Sequence, residues 1–178
     1  MNFNIIFLAG VHGVGKGFIS DRICKNLSLP KFSASTLIKK QKNAPVDQNK
    51  NVIDAEKNQD HLIDALNSLH IHDGAILLDG HFCLSSSSGI IEVPISTFNS
   101  MQLKGVVLLT ADPELIHQRL TSRDGKAMDV KMIASLQTSE IARAKTVSNI
   151  LDVPLFISGQ DQLDSIDPWI ARTLSILT

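Results

Sequence analysis

Cysteine, aromatic residues and surplus charge are all scarce in this chain of 178 residues. Its two cysteines, Cys24 and Cys83, stand far apart in no metal-binding or redox spacing. No disulfide framework follows, and a reducing cytoplasm is the expected compartment. Aromatics make up only 4% and the net charge is −1. Single-stranded nucleic acid needs basic grooves and stacking platforms, so such a partner is not expected. Long apolar runs are missing too. The N-terminal Ile5-Ile6-Phe7-Leu8-Ala9 is too short to span a bilayer and lacks the basic start of a signal peptide, so it reads as a buried strand and no membrane association is expected. What is present is an ordinary globular balance, 43% hydrophobic and 20% charged, at a length typical of one domain spanning 1–178.

Apolar runs of strand length alternate with segments of helical period, which predicts an α/β fold with a mostly parallel sheet. The strands are expected at 4–9, 75–79, 105–110 and 154–158, with a weaker one at 31–33. Their near-continuous hydrophobicity fits strands covered on both faces. Helices are expected at 15–27, 35–42, 54–69, 113–123, 129–151 and 162–177. Asp112 before Pro113 supplies a helix start, and Asp73-Gly74 supplies a turn that closes another helix. The polar stretch 41–51, with Pro45, reads as a loop. The serine tract 85–89 reads as a hairpin tip between the short apolar pieces 82–84 and 90–93.

Chemistry concentrates first at Gly10-Val11-His12-Gly13-Val14-Gly15-Lys16, which fits G-x-x-x-x-G-K directly after a strand and before a helix. Glycines let backbone N–H groups curl around phosphate oxygens, and the first helical turn adds unpaired donors and a partial positive charge. Lys16 then presents a point charge to the outer phosphates. A ligand-free glycine turn would not call for strand, spacing, lysine and helix together. The hydroxyl that usually follows the lysine is replaced by Gly17, then Phe18, so a magnesium ion must lean on phosphates, water and a carboxylate elsewhere.

That carboxylate is Asp79, at the end of the apolar run Ala75-Ile76-Leu77-Leu78. Ligands of open α/β sheets sit beyond the carboxyl ends of the strands, so Asp79 would share the crevice of the phosphate loop and orient hydrated magnesium. The bland alternative is an aspartate capping the next turn. His81 follows; it either touches an acceptor molecule or is structural. Three of the five arginines, Arg119, Arg123 and Arg143, fall in one window around 122–129. Arg119 and Arg123 share a helix face and suit a flap closing over phosphates. The alternative is a solvated face balanced by Asp124, Asp129 and Glu140.

Together these pieces resemble the adenylate-kinase-like nucleoside and nucleotide kinases of the P-loop class. The loop 10–17 is similar to G-x-x-G-x-G-K-G, including glycine after the lysine. Phe32-Ser33-Ala34-Ser35-Thr36-Leu37-Ile38-Lys39 resembles the start of the acceptor-binding helix. Leu77-Leu78-Asp79-Gly80-His81-Phe82 resembles L-L-D-G-F-P, and 107–123 resembles the strand and helix leading into the lid. The likeness covers 4 to about 160. It implies a five-stranded parallel sheet in order 2-3-1-4-5, an acceptor region at about 34–73 and a short lid at about 121–136 without a zinc-binding cysteine quartet. It implies ATP and Mg2+ as the bound groups, with the nucleotide touching the loop residues Gly10, His12, Gly13, Val14, Gly15 and Lys16, then Gly17 and Phe18. Arg119 and, by position after the last strand, Gly159 complete that set. Catalytic roles fall to Lys16, Asp79, Arg119 and Arg123, acceptor contacts to Ser35, Lys39 and His81, and lid contacts to Arg123 and Arg143. The sequence departs from the family at the acceptor: Thr36 stands for an aspartate, and Lys39 and Cys83 stand for arginines.

The leading reading is an ATP-dependent kinase of a small acceptor, best matched by a nucleoside monophosphate. A nucleotide-dependent switch or slow ATPase that reports to a protein partner is the second. A polynucleotide end kinase is the third, opposed by charge and aromatic content.

Overall fold

Four nearly uninterrupted apolar runs cannot each keep one face in water, and the chain solves this by stacking them, with one short polar edge strand, into a single parallel sheet with helices on both sides. The computed structural model describes residues 3–43, 55–71, 74–86, 89–125 and 128–175. In chain order the elements are β1 (Asn4–Ala9), α1 (Lys16–Leu27), β2 (Lys31–Ser33), α2 (Ala34–Asn43), α3 (Ala55–Asn67) and β3 (Ala75–Asp79). A hairpin follows, β4 (Cys83–Ser86) and β5 (Gly89–Glu92), then α4 (Ile95–Asn99) and β6 (Leu103–Leu109). The chain closes with α5 (Pro113–Asp124), α6 (Val130–Leu151), β7 (Leu155–Ser158) and α7 (Ile166–Thr173).

The sheet order is β2-β3-β1-β6-β7. With the separate hairpin set aside, this is the expected 2-3-1-4-5. β1 lies at the centre, pairing Ile6 with Leu77 on one side and with Gly105 on the other. Ile5, Ile6, Leu8 and Ala9 are fully buried, as a strand covered on both faces requires. Because β1 and β3 run parallel and in register, Leu8 stands beside Asp79, and their carboxyl ends open at one edge. That edge carries the site.

The helix starts follow the capping chemistry. Asp112 accepts from the amides of Glu114 at 2.8 Å and Leu115 at 3.3 Å, with Pro113 at the first position. Asp129 caps α6 through the Lys131 amide at 2.9 Å. The buried residues Ile133, Leu136, Ala144 and Val147 form the stripe that α6 lays on the sheet.

Three expectations are corrected. The last helix does not run unbroken from 162: a 3-10 segment spans Gln160–Ser165 and α7 begins at Ile166. Pro168 explains this, since it has no N–H to bond the carbonyl of Asp164 and so sits where first-turn amides are unpaired anyway. A short helix, α4, follows Pro94 where none was expected, burying Thr97 and Phe98. α2 also extends through Asn43, taking residues 41–43 from the expected loop. The rest of that loop (44–51), the start of the third helix at Asp54 and Asp73 of the expected turn lie outside the described residues. So do Ser87 and Ser88 of the serine tract, residues 126 and 127 of the lid region and positions 176–177 of the last helix. The hairpin itself forms as expected, with Cys83 opposite Glu92.

Candidate functional site

Gly13 shows why the loop needs its glycines. Its φ is +81°, and a Cβ there would meet Leu120 Cγ at 2.7 Å. The loop therefore packs directly on α5. The Val14 amide closes a turn on the Val11 carbonyl at 3.3 Å, while the amides of Gly13, Gly15 and Lys16 have no backbone acceptor among the described residues. These unpaired donors lie at the positive end of α1, the arrangement that binds phosphate.

Lys16 is only 8% exposed. Its Nζ donates to the carbonyl of Gly10 and lies 3.9 Å from Asp79 Oδ1. Burial pulls the Lys16 ammonium below its ordinary pKa, against the raising pull of Asp79 and Glu140. Burial pushes the Asp79 carboxyl up, against Lys16 and Lys31. Asp79 Oδ1 is buried without a hydrogen-bond partner. Such an orphan oxygen beside a cation suits a water-bridged divalent ion. The Ser20 hydroxyl is engaged elsewhere, donating to the Gly17 carbonyl at 2.8 Å and accepting from Lys31 Nζ at 3.3 Å. Among the described residues no cluster of three or more metal-ligating side chains occurs. The donor set therefore fits an ion carried in on phosphates and steadied by one carboxylate.

Two cavities meet here. One, of about 290 Å³, is bounded by Gly13, Gly15, Lys16, Asp79, Arg119 and Arg123. Arg119 reaches it by donating to the Val14 carbonyl at 3.0 Å, which ties α5 to the loop. Arg123 stands at the exposed mouth, paired with Asp124 at 2.8 and 2.7 Å. The second cavity, of about 370 Å³, opens between the sheet edge, α2, α3 and α4, and takes in Ser35, Lys39 and His81. His12, Lys16 and Asp79 line both. The rings of His12 and His81 sit 4.4 Å apart between centroids. Burial, then the nearby Lys16 and His12, drive the His81 imidazole down to about 2, so it is neutral. Gly80 keeps its place by size: a Cβ would meet the Phe7 ring at 2.6 Å.

Five expected site residues line neither cavity; two of them, Gly10 and Val14, belong to the loop and present their carbonyls to Lys16 and Arg119. Phe18 is 75% exposed and lines neither cavity. Gly159 caps the 3-10 segment after β7, also outside both. Arg143 is not a lid residue. It donates to the Val93 carbonyl at 3.2 and 2.7 Å and pairs with Glu92 at 3.0 Å, because its position on α6 faces the hairpin.

Glu140 is the residue that sequence reasoning misplaced. Placed on a solvated face in the alternative reading of the arginines, it is 1% exposed and accepts from the amides of Phe82 at 3.0 Å and Cys83 at 2.6 Å. It also lies 3.9 Å from His81 Nδ1. Burial raises its pKa, opposed by those backbone bonds. The signal was its spacing: 133, 136, 140, 144 and 147 is one helical stripe, with the acid at its centre. Thr97 was also missed. It lines the larger cavity, and its Oγ1 is buried without a partner.

Among the described residues no helix is long and apolar enough to cross a membrane. No curated protein shows a significant match to the sequence. Solved structures resemble the fold. A gluconokinase from Sinorhizobium meliloti 1021 superposes with a TM-score of 0.56 at 15% identity, covering 98% of this chain and 92% of that one. A sugar kinase from Janibacter sp. HTCC2649 gives 0.53 at 15% identity, covering 97% and 95%. An uncharacterized protein from Eubacterium ventriosum ATCC 27560 gives 0.53 at 10% identity, covering 98% and 99%. The model of one family, the AAA domain, matches residues 9–137, more than half of the chain and all of the loop from Gly10 to Lys16. On that match the chain belongs to the AAA domain family.

Proposed function

We propose that this protein is an ATP-dependent phosphotransferase of the adenylate-kinase-like kind, moving the γ-phosphoryl group to a small acceptor in the larger cavity. The observation that carries the reading is the shared wall: His12, Lys16 and Asp79 line both cavities, so two bound molecules would meet there. An acceptor oxygen would attack the γ-phosphorus as the bond to the bridging oxygen breaks and ADP leaves. The loop amides and Lys16 would bind the phosphates, and Arg119, with Arg123 once released from Asp124, would meet the charge that spreads over the moving group. Catalysis would rest on positioning and preorganised charge. Asp79 would hold Mg2+ through water, and the ion would supply charge neutralisation at the phosphates. The kinase names of two fold relatives agree with this reading. A nucleoside monophosphate is the acceptor that the family resemblance suggests, and a cytoplasmic site of action fits the two free thiols.

The test is to incubate the protein with MgATP and a panel of nucleoside monophosphates, sugar acids and ring carboxylates. A kinase yields ADP and a phosphorylated acceptor in equal amounts. ADP with free phosphate in every mixture would sink the reading and favour a nucleotide switch. One observation favours that second reading: Glu140 joins α6, which follows the lid region, to the turn after β3, a direct link between nucleotide and hairpin.

A further inference from the structure

The larger cavity combines an apolar floor with one buried, unpaired hydroxyl and two cations that have no carboxylate partner among the described residues, a mixture that restricts what it can hold. Resting on the phosphotransferase reading, we propose that its acceptor is a ring-bodied organic anion, and that Thr97 is the specificity residue that bonds a polar edge of that ring.

The floor comes first. Phe7, Ile38, Leu62, Val93, Phe98 and Met101 line the cavity, with Phe7 and Phe98 packed edge to face at 5.6 Å between centroids. A polyhydroxylated chain placed on that wall would leave several hydroxyls without partners, whereas a flat or apolar ring would bury its faces there. The volume of about 370 Å³ is at the small end of ligand sites and admits one substituted ring system with a short extension.

Thr97 carries the argument further. A helical threonine ordinarily satisfies its hydroxyl on the carbonyl four residues back. For Thr97 that carbonyl belongs to Val93, and Arg143 already occupies it with two bonds at 3.2 and 2.7 Å. The carbonyl three back, on Pro94, accepts the Thr97 amide at 3.2 Å. The hydroxyl is left buried and unpaired in a residue that is 3% exposed and lines both this cavity and a neighbouring one beside Gln59 and Ser100. Buried polar atoms without partners are rare, and one on the wall of a cavity marks where a ligand atom belongs. Arg143 thus acts on the site indirectly, by denying Thr97 its own helix.

The anion follows from α2. Lys39 and Lys42 are three residues apart, share one face and both line the cavity, and among the described residues neither has a carboxylate partner. Among the described residues the cavity's one lining carboxylate is Asp79, at the wall shared with the phosphate loop. No arginine lines it, so the anion meets point charges rather than a bidentate fork.

The experiment is titration calorimetry on the full chain without ATP, using AMP, CMP, 4-hydroxybenzoate, benzoate and gluconate as probes. At least one ring anion with a polar edge should bind about 10-fold or more tightly than gluconate. The nucleotides and the hydroxybenzoate distinguish the two sources of that chemistry. Thr97→Val should weaken the polar-edged ring probe about 10-fold and leave benzoate unchanged, while Thr97→Ser keeps wild-type affinity. Because the hydroxyl has no internal partner to lose, Thr97→Val should melt no lower than wild type and bind ATP as before. The double variant Lys39→Gln, Lys42→Gln should weaken every anionic probe and flatten its salt dependence. Gluconate binding more tightly than every ring anion, or Thr97→Val altering none of the ring affinities, overturns the proposal. Failure of the two readings is separable: a ring anion that binds through Thr97 but is never phosphorylated keeps this inference and removes the kinase, whereas phosphorylated gluconate does the reverse.

Discussion

A buried carboxylate survives only where donors replace its water, and Glu140 does so with the Phe82 and Cys83 amides. Those amides belong to the turn that presents His81, so the acid holds the edge of the candidate site in shape from the far side. Glu140→Gln keeps the volume but offers one acceptor where two amides need one each. It should lose about 1–3 kcal/mol of stability, read as a shift in urea midpoint with unchanged slope. An unchanged midpoint would show that the turn holds itself. At the phosphate loop, Lys16→Met should remove most phosphotransfer, on the order of 100-fold or more in turnover, since the charge it supplies has no substitute within the loop. Steady-state ADP production measures this, and near-normal turnover would refute the role. Asp79→Asn should reduce magnesium-dependent turnover far more than ATP affinity measured without magnesium. Equal losses would make Asp79 structural. At this scale the sequence marked Lys16 and Asp79 by motif and by strand end. It could not mark Thr97, whose role depends on a carbonyl taken by a residue 46 positions away in the chain.

α5 is the element on which the phosphate loop rests. Arg119 holds the Val14 carbonyl, and Leu120 fills the space that any side chain at Gly13 would need. Gly13→Ala should therefore cost both strain and packing, about 2–4 kcal/mol together, and weaken ATP binding with it. Gly125→Ala is the matched control. Its φ is +75°, but nothing lies within 4 Å of a Cβ there, so only the backbone cost of about 1 kcal/mol is expected. Chemical denaturation of both variants decides the matter, and equal losses would mean that the loop does not press on α5. The elements themselves were readable wherever local chemistry sufficed: Asp112-Pro113 started α5 as its spacing implied, and β2 appeared at Lys31–Ser33 as expected. α4 was hidden because five residues are too few to show a helical period.

At the scale of the whole molecule, the paired histidines lower stability in acid, opposed by the raised carboxyls of Asp79 and Glu140. Burial holds His81 down to about 2, and His12 is lowered by burial and by Lys16. Unfolding frees both to protonate near their ordinary value of 6.5. Below that value the unfolded chain binds more protons than the folded one, so stability falls as pH drops from about 6.5 towards 2. The slope is about 1.4 kcal/mol per pH unit for each histidine fully affected. Denaturation midpoints at pH 7, 6 and 5 should fall in order, and His81→Asn should flatten the decline; an unchanged decline would assign it to other groups. While the strand order was expected only from the family resemblance, local order along the chain was enough to determine the parallel α/β sheet and the phosphate loop. These depend on hydrophobic period, glycine spacing and short capping motifs, all of which act between near neighbours. Only the tertiary structure decided that Glu140 meets the Phe82 and Cys83 amides, that Arg143 serves the hairpin and that Thr97 is left unpaired. Each of those depends on which distant backbone group a side chain meets, and no period or spacing encodes such a meeting.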